Sequence, residues 1–252
     1  MSLSVVIPVY NEQDIIEVVV KSVYNNIISR VDDSELIIVN DCSTDNTLKI
    51  LQKLAKRLKK IRIITPFKNG GQGKAIRLGF LNAKKEWVFQ IDSDNQFNPL
   101  EYWKLDKFRG DYDYIYGYRM KRNDPPHRKM LTAMLRLTNL VLFGTFIKDS
   151  NSAFKLIKNS ALRQILRILP EDAFAPTILI TLLAKKLKYR IKLVGVSHRE
   201  RKTGKVSIQG MKLAKVCLRG ARDMLKFRIK TLVLPENEFR IAQQIKAKRI
   251  SI

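Results

Sequence analysis

The first 118 residues alternate between short apolar segments rich in β-branched side chains and longer segments with helical periodicity. This alternation predicts an α/β fold in which a mainly parallel sheet carries helices on both faces. In such sheets, ligands bind at the carboxyl ends of the strands. The predicted strands are 3–9, 35–39, 61–65 and 87–91, and the predicted helices are 12–28, 45–58 and 72–83.

The pattern changes after residue 119. A charged loop at 121–129 precedes a predicted helix at 130–147, a strand at 152–157, a helix at 171–187 and a strand at 189–196. From residue 208 onward the chain is helical by pattern, and Pro235 divides that part into two pieces. We therefore predict one domain over 1–207, with a first half at 1–118 and a second half at 119–207, followed by a basic helical tail at 208–252.

The charge balance limits the choice of partner. The chain has 48 Lys and Arg against 23 Asp and Glu, a net charge of +25. Such a surface favours a polyanion, whether nucleic acid, anionic lipid or a phosphorylated substrate. No apolar run reaches the roughly 20 residues of a spanning helix, and the first residues lack a signal-peptide pattern. We expect a protein that does not cross the membrane by itself.

A pair of acidic residues follows the fourth predicted strand. Asp92, Asp94 and Gln96 occupy alternate positions, so their side chains can point to one side. Their hard oxygen atoms suit a divalent cation that also binds a diphosphate. The alternative is an acidic turn that caps a helix starting near Pro99. An Asp-x-Asp pair alone does not decide between them.

Three further polar segments lie at predicted strand ends or helix starts: Pro-Val-Tyr-Asn-Glu at 8–12, Asn-Asp-Cys-Ser-Thr-Asp-Asn-Thr at 40–47, and Asn-Gly-Gly-Gln-Gly-Lys at 69–74. Each also has a local interpretation as a turn or helix start, with Ser43 or Asp45 capping the second helix. Asp41 could accept hydrogen bonds from a nucleobase. The glycine-rich segment could approach phosphate groups.

In this order and spacing the four segments resemble family 2 glycosyltransferases of the GT-A fold, a Rossmann-like α/β/α arrangement. The resemblance extends over about residues 3–208 and is strongest to the polyprenyl-phosphate sugar transferases. It implies metal-dependent, inverting transfer of a hexose to a dolichyl or undecaprenyl phosphate. The implied donor is a UDP- or GDP-sugar, of the UDP-glucose or GDP-mannose type, and the implied cofactor is Mg²⁺ or Mn²⁺.

The resemblance also implies roles for individual residues. The residues implied for the nucleotide sugar are Pro8, Tyr10, Glu12, Val39, Asp41, Lys74, Asp92 and Arg119. The implied metal ligands are Asp92, Asp94 and Gln96. The catalytic candidates are Asp94, Arg119 and Asp149, and Asp149 would act as a base if the acceptor were a hydroxyl. Arg201 and Lys205 are implied for the acceptor phosphate.

The segment 211–229 has the pattern of a basic amphipathic helix. Its basic positions are Lys212, Lys215, Arg219, Arg222 and Lys226, and its apolar positions are Met211, Ala214, Leu218, Ala221 and Leu225. Such a helix can lie on an anionic membrane or pack on the domain. We expect a peripheral protein on the cytoplasmic side of a membrane, where a membrane-embedded subunit could be a further partner.

Three other interpretations remain open at this point. The acceptor could be soluble or a glycan, and the chain could be an inactive relative that acts as a scaffold. A nucleic-acid-binding protein is suggested by charge alone. The sequence has neither a basic strand interleaved with aromatic residues nor a helix-turn-helix pattern, so we do not predict nucleic acid as a partner.

Overall fold

The computed structural model describes residues 2–120, 133, 137–138, 140–144, 147–173, 176–199, 220, 222 and 224–228. Its described strands form one sheet of seven, in the order β3-β2-β1-β4-β6-β5-β7. The strands are β1 (Leu3–Val9), β2 (Ser34–Asn40), β3 (Ile61–Ile64), β4 (Trp87–Gln90), β5 (Tyr114–Arg119), β6 (Lys155–Lys158) and β7 (Ile191–Val196). Strand β6 is antiparallel to both of its neighbours, and the other pairs are parallel.

Helices cover both faces of this sheet. They are α1 (Ile16–Asn26), α2 (Thr47–Arg57), α3 (Gln72–Asn82), α4 (Tyr102–Asp106), α5 (Asn159–Ile168) and α6 (Pro176–Lys186). Residues 133, 137–138, 140–143, 220, 222 and 224–228 are also helical. Within the described ranges, no helix has both the length and the apolar character needed to cross a bilayer.

Two apolar clusters hold the layers together. On one face, Leu3, Val5 and Ile7 of β1 pack with α1, α2 and α4. On the other face, Val6 of β1 packs with α3, α5 and α6. Alternate side chains of β1 therefore pack into two separate cores, because successive side chains of a β-strand point to opposite faces of the sheet. The predicted α/β architecture of three layers with a mainly parallel sheet is confirmed.

Several predicted boundaries differ from the structure. The first helix begins at Ile16 and not at residue 12, because the Glu12 carbonyl accepts from the amides of both Ile15 and Ile16 in a preceding turn. The helix predicted to continue to residue 147 stops before Gly144, which has a φ of 60°. Glycine is the residue that most readily ends a helix in this conformation.

The region between β6 and β7 contains two helices where the sequence predicted one. Helix α5 was missed, and the helix predicted from residue 171 is described only from Pro176. Proline favours the first turn of a helix and disfavours helical backbone in the residue before it. The proposed divisions at 118/119 and 207/208 stay predictions, although strands from both halves share the one sheet.

A buried lysine joins β6 to the elements around it. Lys155 has almost no exposed surface, and its Nζ donates to the Ser150 carbonyl, the Thr177 carbonyl and Thr181 Oγ1 at 3.0, 2.7 and 2.7 Å. Burial lowers the pKa of Lys155 well below its ordinary value, while the charges of Asp149 and Asp92 act in the opposite direction. These bonds fix the turn before β6 against the first turns of α6.

Helix α3 packs unusually close to the sheet at Gly79. A Cβ atom on Gly79 would lie 2.3 Å from Val6 Cγ1 and 3.2 Å from Val39 Cγ2. Both valines are buried, so neither side chain can move away at low cost. The missing side chain therefore sets the distance between α3 and the strands β1 and β2.

We expect Gly79→Ala to destabilise the fold by about 1–3 kcal/mol, because overpacking outweighs the better helix propensity of alanine. Thermal unfolding should show a fall of roughly 2–4 °C per kcal/mol. Gly110→Ala is the matched control, since a Cβ there meets no atom within 4 Å. Equal melting temperatures for the two variants would contradict this account of α3 packing.

Candidate active site

The polar segments predicted at strand ends meet at one edge of the sheet. The turn after β4, the first residue of α3, the end of β5 and the turn before β6 together enclose a cavity of about 140 Å³. Its lining includes Asp92, Asp94, Gln96 and Arg119 from the predicted site. Four of the predicted residues are therefore brought to one place, although they come from both halves of the chain.

Asp92 and Asp94 form the acidic side of this cavity. Asp92 Oδ1 accepts from Gln72 Nε2 at 3.2 Å, and Asp94 Oδ1 accepts from the Gln96 amide at 3.1 Å. Burial and the charge of Asp94 raise the pKa of Asp92 to about 7. A cation beside these carboxylates would favour the ionised form of Asp92.

This donor set fits a hard divalent cation such as Mg²⁺ or Mn²⁺. Among the described residues, no group of three or more His, Cys, Asp or Glu is arranged to hold a metal ion by itself. Asp92 and Asp94 would supply two oxygen ligands, and diphosphate oxygens and water would complete the shell, as Mg²⁺ sites commonly require. A cation held in this way would depend on an anionic substrate for part of its ligand shell.

Gln96 has a second role that the sequence did not indicate. Its Nε2 donates to the Arg199 carbonyl at 2.9 Å, and the Arg199 amide donates to the Gln96 carbonyl at 2.8 Å. Next to it, Phe97 forms an isolated bridge with His198. Gln96 thus connects the acidic turn to the segment after β7. Of its side-chain amide, only the oxygen Oε1 is suited to coordinate a cation. Its metal role stays a prediction.

Asp41 holds the glycine-rich turn by its backbone. The buried carboxylate accepts from the Gly70 amide at 2.8 Å and from the Gly71 amide at 2.7 Å. Asn69 Nδ2 donates to the Asp41 carbonyl at 2.8 Å. The base-binding residue and the phosphate-approaching turn, predicted separately, therefore form one unit. Each Asp41 oxygen keeps a further lone pair that could receive a ligand donor.

Lys74 and Tyr10 are exposed residues of the predicted donor site, whereas Glu12, Asp92 and Arg119 are half-buried. The Lys74 side chain folds over Gly70, so that a Cβ on Gly70 would lie 2.9 Å from Lys74 Cβ. Tyr10 is exposed directly after β1. In contrast, Pro8 and Val39 are buried within their strands, and their side chains face neighbouring protein atoms. Any ligand contact from these two residues would therefore use backbone atoms.

The turns after β1 and β2 are joined to each other by hydrogen bonds. Asn11 Oδ1 accepts from the Thr44 amide at 2.8 Å, and the Glu12 amide donates to Thr47 Oγ1 at 2.9 Å. The predicted cap of α2 is correct only in part. Asn46 occupies the capping position without a side-chain bond, and Asp45, one residue earlier, accepts from the Thr47 amide at 2.9 Å.

Arg119 and Asp149 form an ion pair beside the cavity. Arg119 Nε donates to Asp149 Oδ2 at 2.8 Å, and a terminal nitrogen donates to Oδ1 at 2.5 Å. The Arg119 amide also donates to Oδ2 at 3.0 Å. Two of the three predicted catalytic residues are thus adjacent, but the Asp149 carboxylate is engaged by Arg119. Its action as a base would require this pairing to change, and that role stays a prediction.

Other residues lining the cavity were not predicted. Gln72, Gln90, Asn151, Thr177 and His198 all contribute to it. Gln72 was visible as part of the glycine-rich segment, and Gln90 as a polar residue within an otherwise apolar strand. Arg201 and Lys205, predicted for the acceptor phosphate, lie outside the described residues.

Comparison with known proteins is consistent with this geometry. An undecaprenyl-phosphate 4-deoxy-4-formamido-L-arabinose transferase of Edwardsiella ictaluri is 28% identical over 213 residues, which cover 84% of this chain and 64% of the relative. A dolichyl-phosphate beta-glucosyltransferase of Trichomonas vaginalis is 27% identical over 242 residues, covering 90% of this chain and 73% of the relative. The chain thus spans just under two thirds of the length of the first relative.

The fold is shared with a solved enzyme structure. Glucosyl-3-phosphoglycerate synthase from Mycobacterium tuberculosis, in complex with Mn²⁺, UDP and phosphoglyceric acid, superposes with a TM-score of 0.67. The match covers 90% of this chain and 78% of that one, at 20% sequence identity, and it confirms the predicted GT-A fold. Residues 4–166, which include β1 to β6 and most of the site, match the family described as Glycosyl transferase family 2. This chain therefore belongs to glycosyl transferase family 2.

Proposed function

We propose that this chain transfers a hexose from a nucleoside-diphosphate sugar to the phosphate of a polyprenyl lipid, with inversion at the anomeric carbon. The observation that carries the proposal is the cavity in which Asp92, Asp94 and Arg119 meet at the carboxyl ends of the strands. The names of the relatives, which specify undecaprenyl and dolichyl phosphate, support a lipid phosphate as acceptor.

The proposed reaction exchanges one bond at the anomeric carbon for another. An oxygen of the acceptor phosphate forms a bond to this carbon, the bond to the diphosphate oxygen breaks, and the nucleoside diphosphate leaves with the electron pair. A divalent cation at Asp92 and Asp94 would supply positive charge to the leaving diphosphate. Arg119, fixed by Asp149, adds a preorganised cation at the cavity wall.

The pairing of Asp149 with Arg119 supports a phosphate as the acceptor. A phosphate monoester is largely ionised at neutral pH, so its oxygen can attack with little help from a base. Asp149 is buried and paired with Arg119, an arrangement better suited to orienting Arg119 than to removing a proton. A hydroxyl acceptor would require that base, so the pairing favours a phosphate over a soluble sugar acceptor.

The donor would lie between Asp41 and the acidic turn. The glycine-rich turn held by Asp41 leads directly into α3, whose first residue, Gln72, donates to Asp92. The glycine-rich turn and the start of α3 therefore connect the proposed base site to the proposed cation site. The exposed side chain of Lys74, also on α3, supplies positive charge near that turn.

An exposed apolar surface supports a location at a membrane. Leu137 and Val141 are 61% and 72% exposed, and Leu140 beside them is also exposed. The Phe143 ring lies 6.1 Å from the Phe227 ring, so this segment adjoins the helical residues 224–228. Two adjoining segments with exposed apolar residues are typical of an interfacial surface.

The described part of the tail is helical and has two different faces. Met224 and Phe227 are buried against the domain, whereas Arg222, Leu225 and Lys226 are exposed. Packing on the domain and exposure of a basic face therefore occur together in this segment. We propose that this basic face and the exposed side chains of Leu137, Leu140 and Val141 contact an anionic membrane. The remaining predicted tail residues lie outside the described residues.

Asp94→Asn should lower the rate of sugar transfer at least roughly 100-fold, because a metal contributes several kcal/mol of transition-state stabilisation. Transfer from UDP-glucose and GDP-mannose to polyprenyl phosphate would be assayed with Mn²⁺. Asp111→Asn, at an exposed turn residue, is the matched control. Near wild-type transfer by Asp94→Asn, or by the wild type in excess chelator, would refute the metal assignment.

Asp41→Asn should weaken donor binding by roughly 10- to 100-fold, the value of a hydrogen bond to a charged group. Calorimetric titration with UDP, GDP and inorganic pyrophosphate separates two causes. Loss of nucleotide affinity alone indicates that Asp41 contacts the base, and parallel loss of pyrophosphate affinity indicates that it acts by holding Gly70 and Gly71. Unchanged affinity for all three ligands would exclude both roles.

Changing Leu137, Leu140 and Val141 together to Ser should weaken binding to vesicles of phosphatidylcholine and phosphatidylglycerol by roughly 10- to 100-fold. The reason is the loss of roughly 1 kcal/mol of apolar insertion for each side chain. Vesicle sedimentation measures the effect. The control is Leu81→Ser with Leu100→Ser, at two leucines that are exposed elsewhere. If both variants bind like the wild type, this surface does not face the membrane.

A further inference from the structure

One amide group in the cavity has no protein partner. Gln90 ends β4, is 1% exposed and lines the cavity, and neither its Nε2 nor its Oε1 makes a hydrogen bond. Burying an amide without partners destabilises a protein, because the hydrogen bonds that the group made with water in the unfolded chain are not replaced. Among the described residues, Gln90 is the only one whose whole side-chain polar group is buried in this way. Such a cost at a cavity wall indicates a group that is satisfied by a ligand.

The neighbours of Gln90 do not provide an alternative partner. It lies directly opposite Lys155 in the antiparallel pairing of β4 and β6, so the two side chains share one face of the sheet. Lys155 directs its Nζ to Ser150, Thr177 and Thr181, three acceptors that satisfy all of its protons. The hydrogen bonds of Lys155 are thus complete without Gln90, and the Gln90 amide can bind a ligand in the cavity.

We propose that the Gln90 amide binds hydroxyl groups of the sugar carried by the donor, an inference that rests on the proposed function. Gln90 precedes Asp92 by two residues, and it lines the same cavity as the proposed cation ligands Asp92 and Asp94. The predicted base site at Asp41 directly follows β2, and Asp41 is not among the residues that line this cavity. The part of a nucleotide sugar that follows the diphosphate is the sugar.

The chemistry of the amide matches this ligand. A glutamine offers two N–H donors and a carbonyl acceptor, whereas each hydroxyl offers one donor and two acceptor lone pairs. Neighbouring hydroxyls of a pyranose can therefore satisfy both ends of Gln90 at once. The cavity of about 140 Å³ exceeds the roughly 30 Å³ that one water occupies in the liquid, so a single water does not fill it.

This contact would make Gln90 a determinant of sugar specificity. Sites built to hydrogen-bond a hydroxyl strongly reject analogues that lack it, because the buried polar group is then left unpaired. In the ligand-free protein the Gln90 amide is already buried without a hydrogen-bond partner. A donor sugar without the matching hydroxyl should consequently bind little better than the nucleoside diphosphate alone.

The test uses Gln90→Met, which keeps the length of the side chain and removes its polar atoms. Dissociation constants for UDP, UDP-glucose, GDP and GDP-mannose would be measured with Mn²⁺ for the wild type and the variant. We expect affinity for the nucleoside diphosphates within about twofold of the wild type, and affinity for the sugar nucleotide lower by about 3- to 10-fold per lost hydrogen bond. Gln52→Met, at an exposed glutamine on α2, is the matched control.

The melting temperature gives an independent reading. Removing a buried amide without partners should raise the melting temperature of Gln90→Met by about 2–4 °C for each kcal/mol recovered. A lower melting temperature with unchanged ligand affinities would instead give Gln90 a structural role and overturn the inference. An equal loss of affinity for nucleoside diphosphate and sugar nucleotide would also overturn it.

The design separates this inference from the proposed function. If the wild type binds none of the four nucleotides, the proposed function fails and the sugar assignment fails with it. If the wild type binds them and Gln90→Met binds them equally well, only the sugar assignment is wrong, and water or another small group satisfies the amide. A selective loss for one sugar nucleotide supports the assignment and identifies the preferred sugar.

Discussion

Strand β6 is antiparallel to both of its neighbours, and the arrangement of the site depends on this strand direction. Because β6 is antiparallel to β4 and β5, its first residue, Lys155, lies beside Gln90 at the carboxyl end of β4. The turn that precedes β6 therefore reaches the same edge as the turns that follow β1, β2 and β4. Asp149 arrives at that edge with it and pairs with Arg119 at the end of β5. A parallel strand here would carry this turn to the opposite edge of the sheet.

The site concentrates negative charge in a chain whose net charge is +25. Burial and the charge of Asp94 oppose the ionisation of Asp92, while the hydrogen bond from Gln72 and the charge of Arg119 favour it. Arg119 is itself balanced by Asp149. The cavity thus has an acidic side next to the Arg119 guanidinium, an arrangement that would suit the proposed ligand, a divalent cation together with a diphosphate. The abundant surface charge outside the cavity suits an anionic lipid surface, where each basic residue adds about 1 kcal/mol.

Several buried polar groups near the cavity reduce the stability that an apolar core would provide. Lys155 offsets this cost with a complete set of hydrogen bonds, and Asp41 does so by accepting from the amides of Gly70 and Gly71. Gln90 does not, which distinguishes it from the other buried polar residues of the sheet. Positions where the local rules of folding are broken are commonly those that function requires. Lys155 and Asp41 thus stabilise the structure around the site, whereas Gln90 is the residue that we propose binds the ligand.

The sequence alone determined the features that depend on local periodicity and on strand ends. The first four strands, their parallel direction and the segments that carry Asp41, Asp92 and Asp94 were predictable, because each strand is a short apolar run followed directly by polar residues. Helix α5 was missed, although Leu162, Ile165 and Leu166 have helical spacing, because its ten residues give a short signal.

Only the tertiary structure decided which distant residues meet. The hydrogen bonds of Asp41 to the glycine-rich turn and of Asp149 to Arg119 join positions 29 to 30 residues apart. The unpartnered state of Gln90 appears only when every neighbouring group has been assigned its own partner. A linear pattern records which side of a strand a residue faces, but the direction of β6 and the partners of each buried polar group follow from packing between elements. For that reason the sequence indicated the family and the edge of the sheet that binds ligands, and the structure showed how the residues at that edge are connected.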